Sequence, residues 1–133
     1  MNCIHRNLEN KVNQLLKVFP VVLILGARQV GKTTLAKICR PDWKYFDLEK
    51  GSDYDFITSD FDFFFREYPE QVIIDEAQEA PQLFRELRGG IDANRRSKNR
   101  FILTGSSSPA LLTSISDSLA GRIGIINWHA KDE

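Results

Sequence analysis

Net charge is what this sequence has least of: 18 Lys and Arg are matched by 18 Asp and Glu over 133 residues. The chain therefore has no overall attraction for nucleic acid or an anionic membrane. Cysteine is nearly as scarce. Cys3 and Cys39 are far apart and form no C-x-x-C, so neither a disulfide scaffold nor a zinc site is suggested, and a reduced, cytoplasmic setting is expected. Long apolar runs are missing too. The longest, Val18 to Leu25, is interrupted by Pro20 and falls far short of the roughly 20 residues that span a bilayer. The opening residues 1–6 carry no signal-peptide pattern, so neither export nor membrane insertion is expected. Internal repeats, low-complexity tracts and long linkers are also lacking, and the length suits one domain.

What is present centres on Gly26-Ala27-Arg28-Gln29-Val30-Gly31-Lys32-Thr33, which fits the phosphate-binding pattern G-x-x-x-x-G-K-[ST] at every fixed position. Gly26 and Gly31 allow the backbone positive φ angles and a close approach, so that successive N–H groups can form an anion nest. Lys32 then reaches the β and γ phosphates, and Thr33 offers a hydroxyl to magnesium. The flanks agree. Val21-Val22-Leu23-Ile24-Leu25 reads as a strand buried on both faces. From about Lys32 a helix begins, with Thr34 in its first turn and Leu35, Ile38 and Cys39 on one face; its N-terminal dipole lies under the phosphates.

A second constellation follows about forty residues later. Val72-Ile73-Ile74-Asp75-Glu76 is a buried-type strand that ends in two carboxylates. Asp75, at the C-terminal end of a parallel strand, suits the shell of a magnesium ion. Glu76 is placed to deprotonate an attacking water, a role that hydrolysis needs and binding does not. After a further strand, Arg100 to Thr104, come Gly105-Ser106-Ser107-Ser108-Pro109. Ser106 and Thr104 are candidates to sense a γ phosphate, whereas Ser108 and Pro109 read as a helix cap and first position.

The remaining pattern supplies the frame. Residues 4–19 place Ile4, Leu8, Val12, Leu15, Leu16 and Phe19 on one helical stripe. Trp43 to Leu48 reads as a strand broken by Gly51-Ser52. Asp60 to Tyr68 reads as a helix with Phe61, Phe64, Phe65 and Tyr68 inward and Phe63 outward, a candidate partner contact. Pro81 to Arg88 is a short helix broken by Gly89-Gly90. Leu111, Leu112, Ile115 and Leu119 line a last helix, which Gly121 closes, and Ile123 to Trp128 is a fifth strand. The basic group Arg85, Arg88, Arg95, Arg96, Lys98 and Arg100 reads as a solvated helix end and loop. Five strands alternating with helices predict a three-layer α/β sandwich with a parallel sheet.

Taken together, residues 19–35, 72–78, 101–108 and Leu119-Ala120-Gly121-Arg122 resemble the AAA-type ATPases of prokaryotes that join an N-terminal ATP-binding domain to a C-terminal domain of unknown function. Arg-Gln-Val inside the loop, Asp-Glu-Ala-Gln and Leu-Thr-Gly-Ser-Ser-Ser carry most of the likeness. The resemblance implies a P-loop NTPase fold with sheet order 5-1-4-3-2, ATP with Mg2+ as ligand, and Lys32, Thr33, Asp75 and Glu76 in the roles given above. Arg28 and Arg122 match family positions at which an arginine can approach the γ phosphate, from the same chain or a neighbour. The ending, Trp128 to Glu133, resembles nothing in the family; an absent lid and C-terminal domain, a truncation or a foreign tail are the expectations drawn from it.

The leading expectation is Mg-ATP binding and hydrolysis to ADP and phosphate. Two alternatives stay open: a nucleotide-dependent switch or interaction module with negligible turnover, and one lobe of a nucleic-acid-dependent ATPase, against which the balanced charge speaks. A nucleotide is the expected ligand, a C-terminal domain or another protein the expected partner; oligomer state is left open.

Overall fold

The computed structural model of the chain describes residues 3–27, 30–93 and 97–128. Its centre is a five-stranded sheet in the order β2-β3-β4-β1-β5, built from β1 (Val21–Gly26), β2 (Lys44–Asp47), β3 (Val72–Asp75), β4 (Phe101–Gly105) and β5 (Ile123–Trp128). Every pairing is parallel. Read from the other edge, the order is the expected 5-1-4-3-2.

A parallel sheet needs cover on both faces, and burial along the strands records it. Every residue of β1, β3 and β4 is buried, whereas the edge strand β5 alternates between buried and more exposed positions. On one face Val22, Ile24, Ile73 and Ile102 pack with Val12 and Leu16 of α1 (Cys3–Leu16) and with Leu35 of α2 (Lys32–Cys39). On the other, Val21, Leu23, Ile74 and Leu103 share a core with Phe64, Phe84, Leu87 and Ile115. Those four come from α4 (Phe61–Glu67), α5 (Leu83–Asp92) and α6 (Pro109–Leu119). Each such side chain taken wholly out of water contributes about 1.5–3 kcal/mol. Neither face could stand without its helices.

Four boundaries differ from the expectations. Gly51-Ser52, expected as the break after the second strand, lie beyond its end and open α3 (Gly51–Thr58), whose Ile57 is fully buried. Gly89-Gly90 does not break α5, which runs on to Asp92 because Ile91, 2% exposed, belongs to its buried face. The first helix stops at Leu16, short of Phe19, and β2 is only Lys44–Asp47. Phe63 is 40% exposed, as the helical stripe requires, with its ring edge-on to Phe56 at 6.3 Å.

Arg85, Arg88 and Lys98 of the basic segment are exposed, as a solvated helix end and loop require, and Arg100 departs from that reading. Arg95 and Arg96 lie outside the described residues, but Arg100 is 5% exposed and donates to the carbonyls of Pro69 and Gly90. Burial rather than solvation sets its role. Desolvation lowers its pKa, partly countered by the charge of Glu70.

Candidate functional site

The C-terminal ends of β1, β3 and β4 lie side by side, so whatever follows each strand meets at one edge of the sheet. After β1 the chain turns through the glycine loop and enters α2. Gly31 stands at the N-cap in the left-handed conformation, φ 106°, with no side chain to cap the first-turn N–H groups. Space as well as φ demands glycine here. A Cβ on Gly31 would come 3.3 Å from Trp128 Cη2, and one on Gly26 would come 2.7 Å from the Trp128 carbonyl oxygen. Trp128, 1% exposed, therefore shapes the loop from β5, and far from being a foreign tail it is part of the domain core. Residues 129–133, the rest of the expected foreign ending, lie outside the described residues.

Lys32 is 3% exposed, and its ammonium donates to the carbonyls of Gly26 and Ala27, 2.8 Å each. A cation is thus held inside the loop by its own backbone. Of the other loop residues, Val30 and Gly31 are half-buried while Ala27 and Thr34 are exposed. Arg28 and Gln29 lie outside the described residues.

Thr33 reaches across to β3, its hydroxyl donating to Asp75 Oδ2 at 2.7 Å. Asp75 is 5% exposed and receives two more hydroxyls: Tyr45 from β2, 2.6 Å to Oδ2, and Thr104 from β4, on Oδ1. A buried carboxylate is tolerable only when so served. Tyr45 is driven far above an ordinary phenol by burial first, then by its bond to Asp75 and the charges of Asp75, Asp47 and Glu76, so it remains a donor.

Glu76, 9% exposed, has left-handed backbone angles, φ 59° and ψ 52°. Such a conformation in a non-glycine residue persists only where its surroundings enforce it. Here its N–H donates to Thr104 Oγ1 at 3.0 Å, and its Oε1 accepts from Gln78 Nε2 at 2.8 Å. Gln78 Oε1 in turn accepts from the Ser106 N–H at 3.2 Å.

Lys32, Thr33, Asp75, Glu76, Thr104 and Ser106 are therefore gathered at one edge of the sheet. Thr104 differs from a phosphate sensor in position: fully buried, with its hydroxyl engaged by both Asp75 and Glu76, it sits behind the carboxylates. Ser106, half-buried, stands nearer the opening, and Ser108 caps α6 by accepting from the Leu111 N–H. Arg122 falls elsewhere. It precedes β5 at the opposite edge of the sheet, paired with Asp92 at 2.8 Å, and the strand between it and the loop spans roughly 17 Å. Within one chain Arg122 does not reach the site.

The motifs give Tyr45 and Trp128 no part in the site, and Gln78 enters only as the last residue of Asp-Glu-Ala-Gln. Strand alternation offered a signal for Tyr45, which shares a sheet face with Asp75 once β2 pairs with β3. Among the described residues no three His, Cys, Asp or Glu side chains cluster as a metal cage. Thr33 and Asp75 supply the hard oxygen donors that magnesium takes when substrate phosphates and waters complete its shell. No helix among the described residues is long and apolar enough to cross a membrane.

The model of a family described as an AAA domain matches residues 18–130. Two curated proteins, the uncharacterised Mb2031c of Mycobacterium bovis and Rv2008c of Mycobacterium tuberculosis, are each 36% identical over 124 residues. The match takes in 91% of this chain but only 27% of each relative, so the chain spans about a quarter of their length. Among solved structures, the Walker-type ATPase PABY2304 of Pyrococcus abyssi is similar with a TM-score of 0.55 and 18% identity, over 91% of this chain and 52% of that one. That similarity is one of fold.

Proposed function

The chain belongs to the AAA domain family, and from that footing we propose that it binds Mg-ATP at the glycine loop and hydrolyses it to ADP and phosphate. The observation that carries the proposal is the 2.7 Å bond from Thr33 to Asp75, two residues 42 positions apart in sequence. A loop hydroxyl and a strand-end carboxylate side by side would offer one ion two hard oxygen donors next to the phosphate loop. Bound there, magnesium would neutralise charge on the phosphate oxygens.

In this reading Lys32 exchanges its bonds to Gly26 and Ala27 for the β and γ phosphate oxygens, beside the N–H groups of the loop and of α2. Glu76 accepts a proton from water as the water oxygen bonds to the γ phosphorus. The bond from that phosphorus to the β–γ bridging oxygen breaks, and ADP leaves with the electron pair. Ser106, half-buried just after β4, is the residue that contacts the γ phosphate in this reading. Fixed charges and donors, rather than covalent help, supply most of the rate.

Calorimetric titration with a non-hydrolysable ATP analogue and magnesium tests the binding half, with GTP in parallel. Lys32→Ala should weaken binding about 10- to 100-fold, the worth of one bond to a charged group. Glu76→Gln should keep binding and abolish phosphate release. A folded chain that binds nothing refutes the proposal; binding without turnover, unchanged by Glu76→Gln, favours instead a nucleotide-dependent switch. Because the curated relatives are much longer than the match, a second domain or another protein is the partner we propose for the nucleotide-bound form. A cytoplasmic setting belongs to the same proposal and is supported by the free thiol of Cys39.

A further inference from the structure

Glu76 is not free to choose its orientation. One carboxylate oxygen is held by Gln78 Nε2 at 2.8 Å, and the other end of the same amide accepts from the Ser106 N–H at 3.2 Å. The amide can be oriented in one way only: reversed, it would set oxygen against carboxylate oxygen and NH2 against N–H. Gln78 lies in a short 3-10 turn, Ala77–Glu79, closed by the Glu79 N–H on the Glu76 carbonyl at 3.1 Å. That turn folds its side chain back over the end of β4. Room for it is reserved there, since a Cβ on Gly105 would come 3.2 Å from Gln78 Oε1 and 3.1 Å from Leu111 Cδ2.

We propose that Gln78 is a positioning residue that joins Glu76 to the backbone of Ser106, so that contact between a γ phosphate and the loop after β4 sets the aim of the base. The inference rests on the functional reading above and adds a link that it does not require. With Oε1 of Glu76 held by the amide, Oε2 is the oxygen left to accept from water. A displacement of Ser106 towards a phosphate pulls on the amide oxygen and, through the rigid plane of the amide, on Glu76. The 3-10 turn allows this because it hinges Gln78 between the two strand ends. ADP, which lacks the γ phosphate, leaves the link as it stands.

Two variants separate the link from mere packing. Gln78→Met has similar length and neither bond; Gln78→Glu keeps an acceptor for Ser106 but sets an anion against Glu76. Measured beside Glu76→Gln, both should lower kcat about tenfold or more while the affinity for a non-hydrolysable ATP analogue stays within about twofold. Amide hydrogen exchange at Ser106, followed by NMR, gives a readout that needs no turnover. Protection should be lost in Gln78→Met, kept in Gln78→Glu, and altered in the parent chain by the ATP analogue but not by ADP. An unchanged kcat in both variants overturns the proposal, as does a kcat loss matched by an equal loss of analogue affinity. If the parent chain binds but does not hydrolyse, the functional reading fails by itself, and Ser106 exchange then decides: equal protection with ATP analogue and ADP refutes the link.

Discussion

Replacing Thr104 by Val removes a single hydroxyl and leaves the side-chain shape nearly unchanged, yet the structure requires a large effect. Thr104 is 0% exposed, so water cannot substitute. Its hydroxyl donates to the Asp75 carboxylate and accepts from the Glu76 N–H at 3.0 Å. A bond to a charged group contributes about 1.5–3 kcal/mol, and a stranded buried N–H costs about 1–3 kcal/mol. Since the two losses share one site they are not fully additive, and about 3 kcal/mol is the expected destabilisation. For a chain of 133 residues, an unfolding entropy of about 2.1 cal/mol/K per residue turns that into a fall of about 10 °C in Tm. Thr104→Ser keeps the hydroxyl and loses one methyl, worth about 1 kcal/mol and about 3–4 °C. Thermal melts of the three proteins, followed by circular dichroism, compare them directly. If Val and Ser melt together, or if Val lies within about 2 °C of the parent, Thr104 is not the buried bracket between the two carboxylate residues, and its assignment as a phosphate sensor returns.

Gly26→Ala should destabilise the chain by about 1–3 kcal/mol and abolish binding of the ATP analogue, because its Cβ would come 2.7 Å from the Trp128 carbonyl oxygen. Gly51→Ala, whose Cβ meets nothing within 4 Å, is the control expected to melt like the parent. Cys39 has its thiol pushed up to about 11 from 9.0, by burial first and then by Glu9, with Arg40 opposing. At pH 8 its thiolate is therefore about 100-fold scarcer than that of an ordinary thiol, and alkylation by iodoacetamide, read by peptide mass, should be slower by the same factor. The sign follows for stability: the raised thiol costs nothing below about pH 9, and its contribution is lost as the pH climbs through about 11. Arg122→Ala should leave ATP-analogue affinity within about twofold of the parent, since the side chain pairs with Asp92 at the far edge of the sheet. A tenfold loss would show that Arg122 reaches a nucleotide, in its own chain or a neighbour's.

The glycine loop, the strand before it and the helix after it were legible because each is defined by local spacing: two glycines, a lysine and a hydroxyl residue at fixed intervals, between an apolar run and an amphipathic one. The same holds for Val72 to Glu76. A strand buried on both faces has to be apolar throughout, so the sheet's three inner strands, β3, β4 and β1, announced themselves. Helix ends were harder. Gly51 and Gly89-Gly90 have propensities that argue for breaks, and burial of Ile57 and Ile91 outweighed them.

Amino-acid order by itself determined the P-loop, the two carboxylates and the alternation of strand with helix, because these depend on neighbours within a few positions. Tertiary structure alone decided what surrounds the carboxylates. Parallel pairing brings Tyr45 alongside Ile73 and Ile102 alongside Ile73, and only that register delivers the hydroxyls of Tyr45 and Thr104 to Asp75. The same is true of Trp128 behind Gly26 and Gly31, of Gln78 between Glu76 and Ser106, and of Arg122 at the far edge. A hydrogen bond of about 3 Å between residues dozens of positions apart leaves no periodic trace in a chain; it exists only once strands have been placed about 4.8 Å from one another in a particular register.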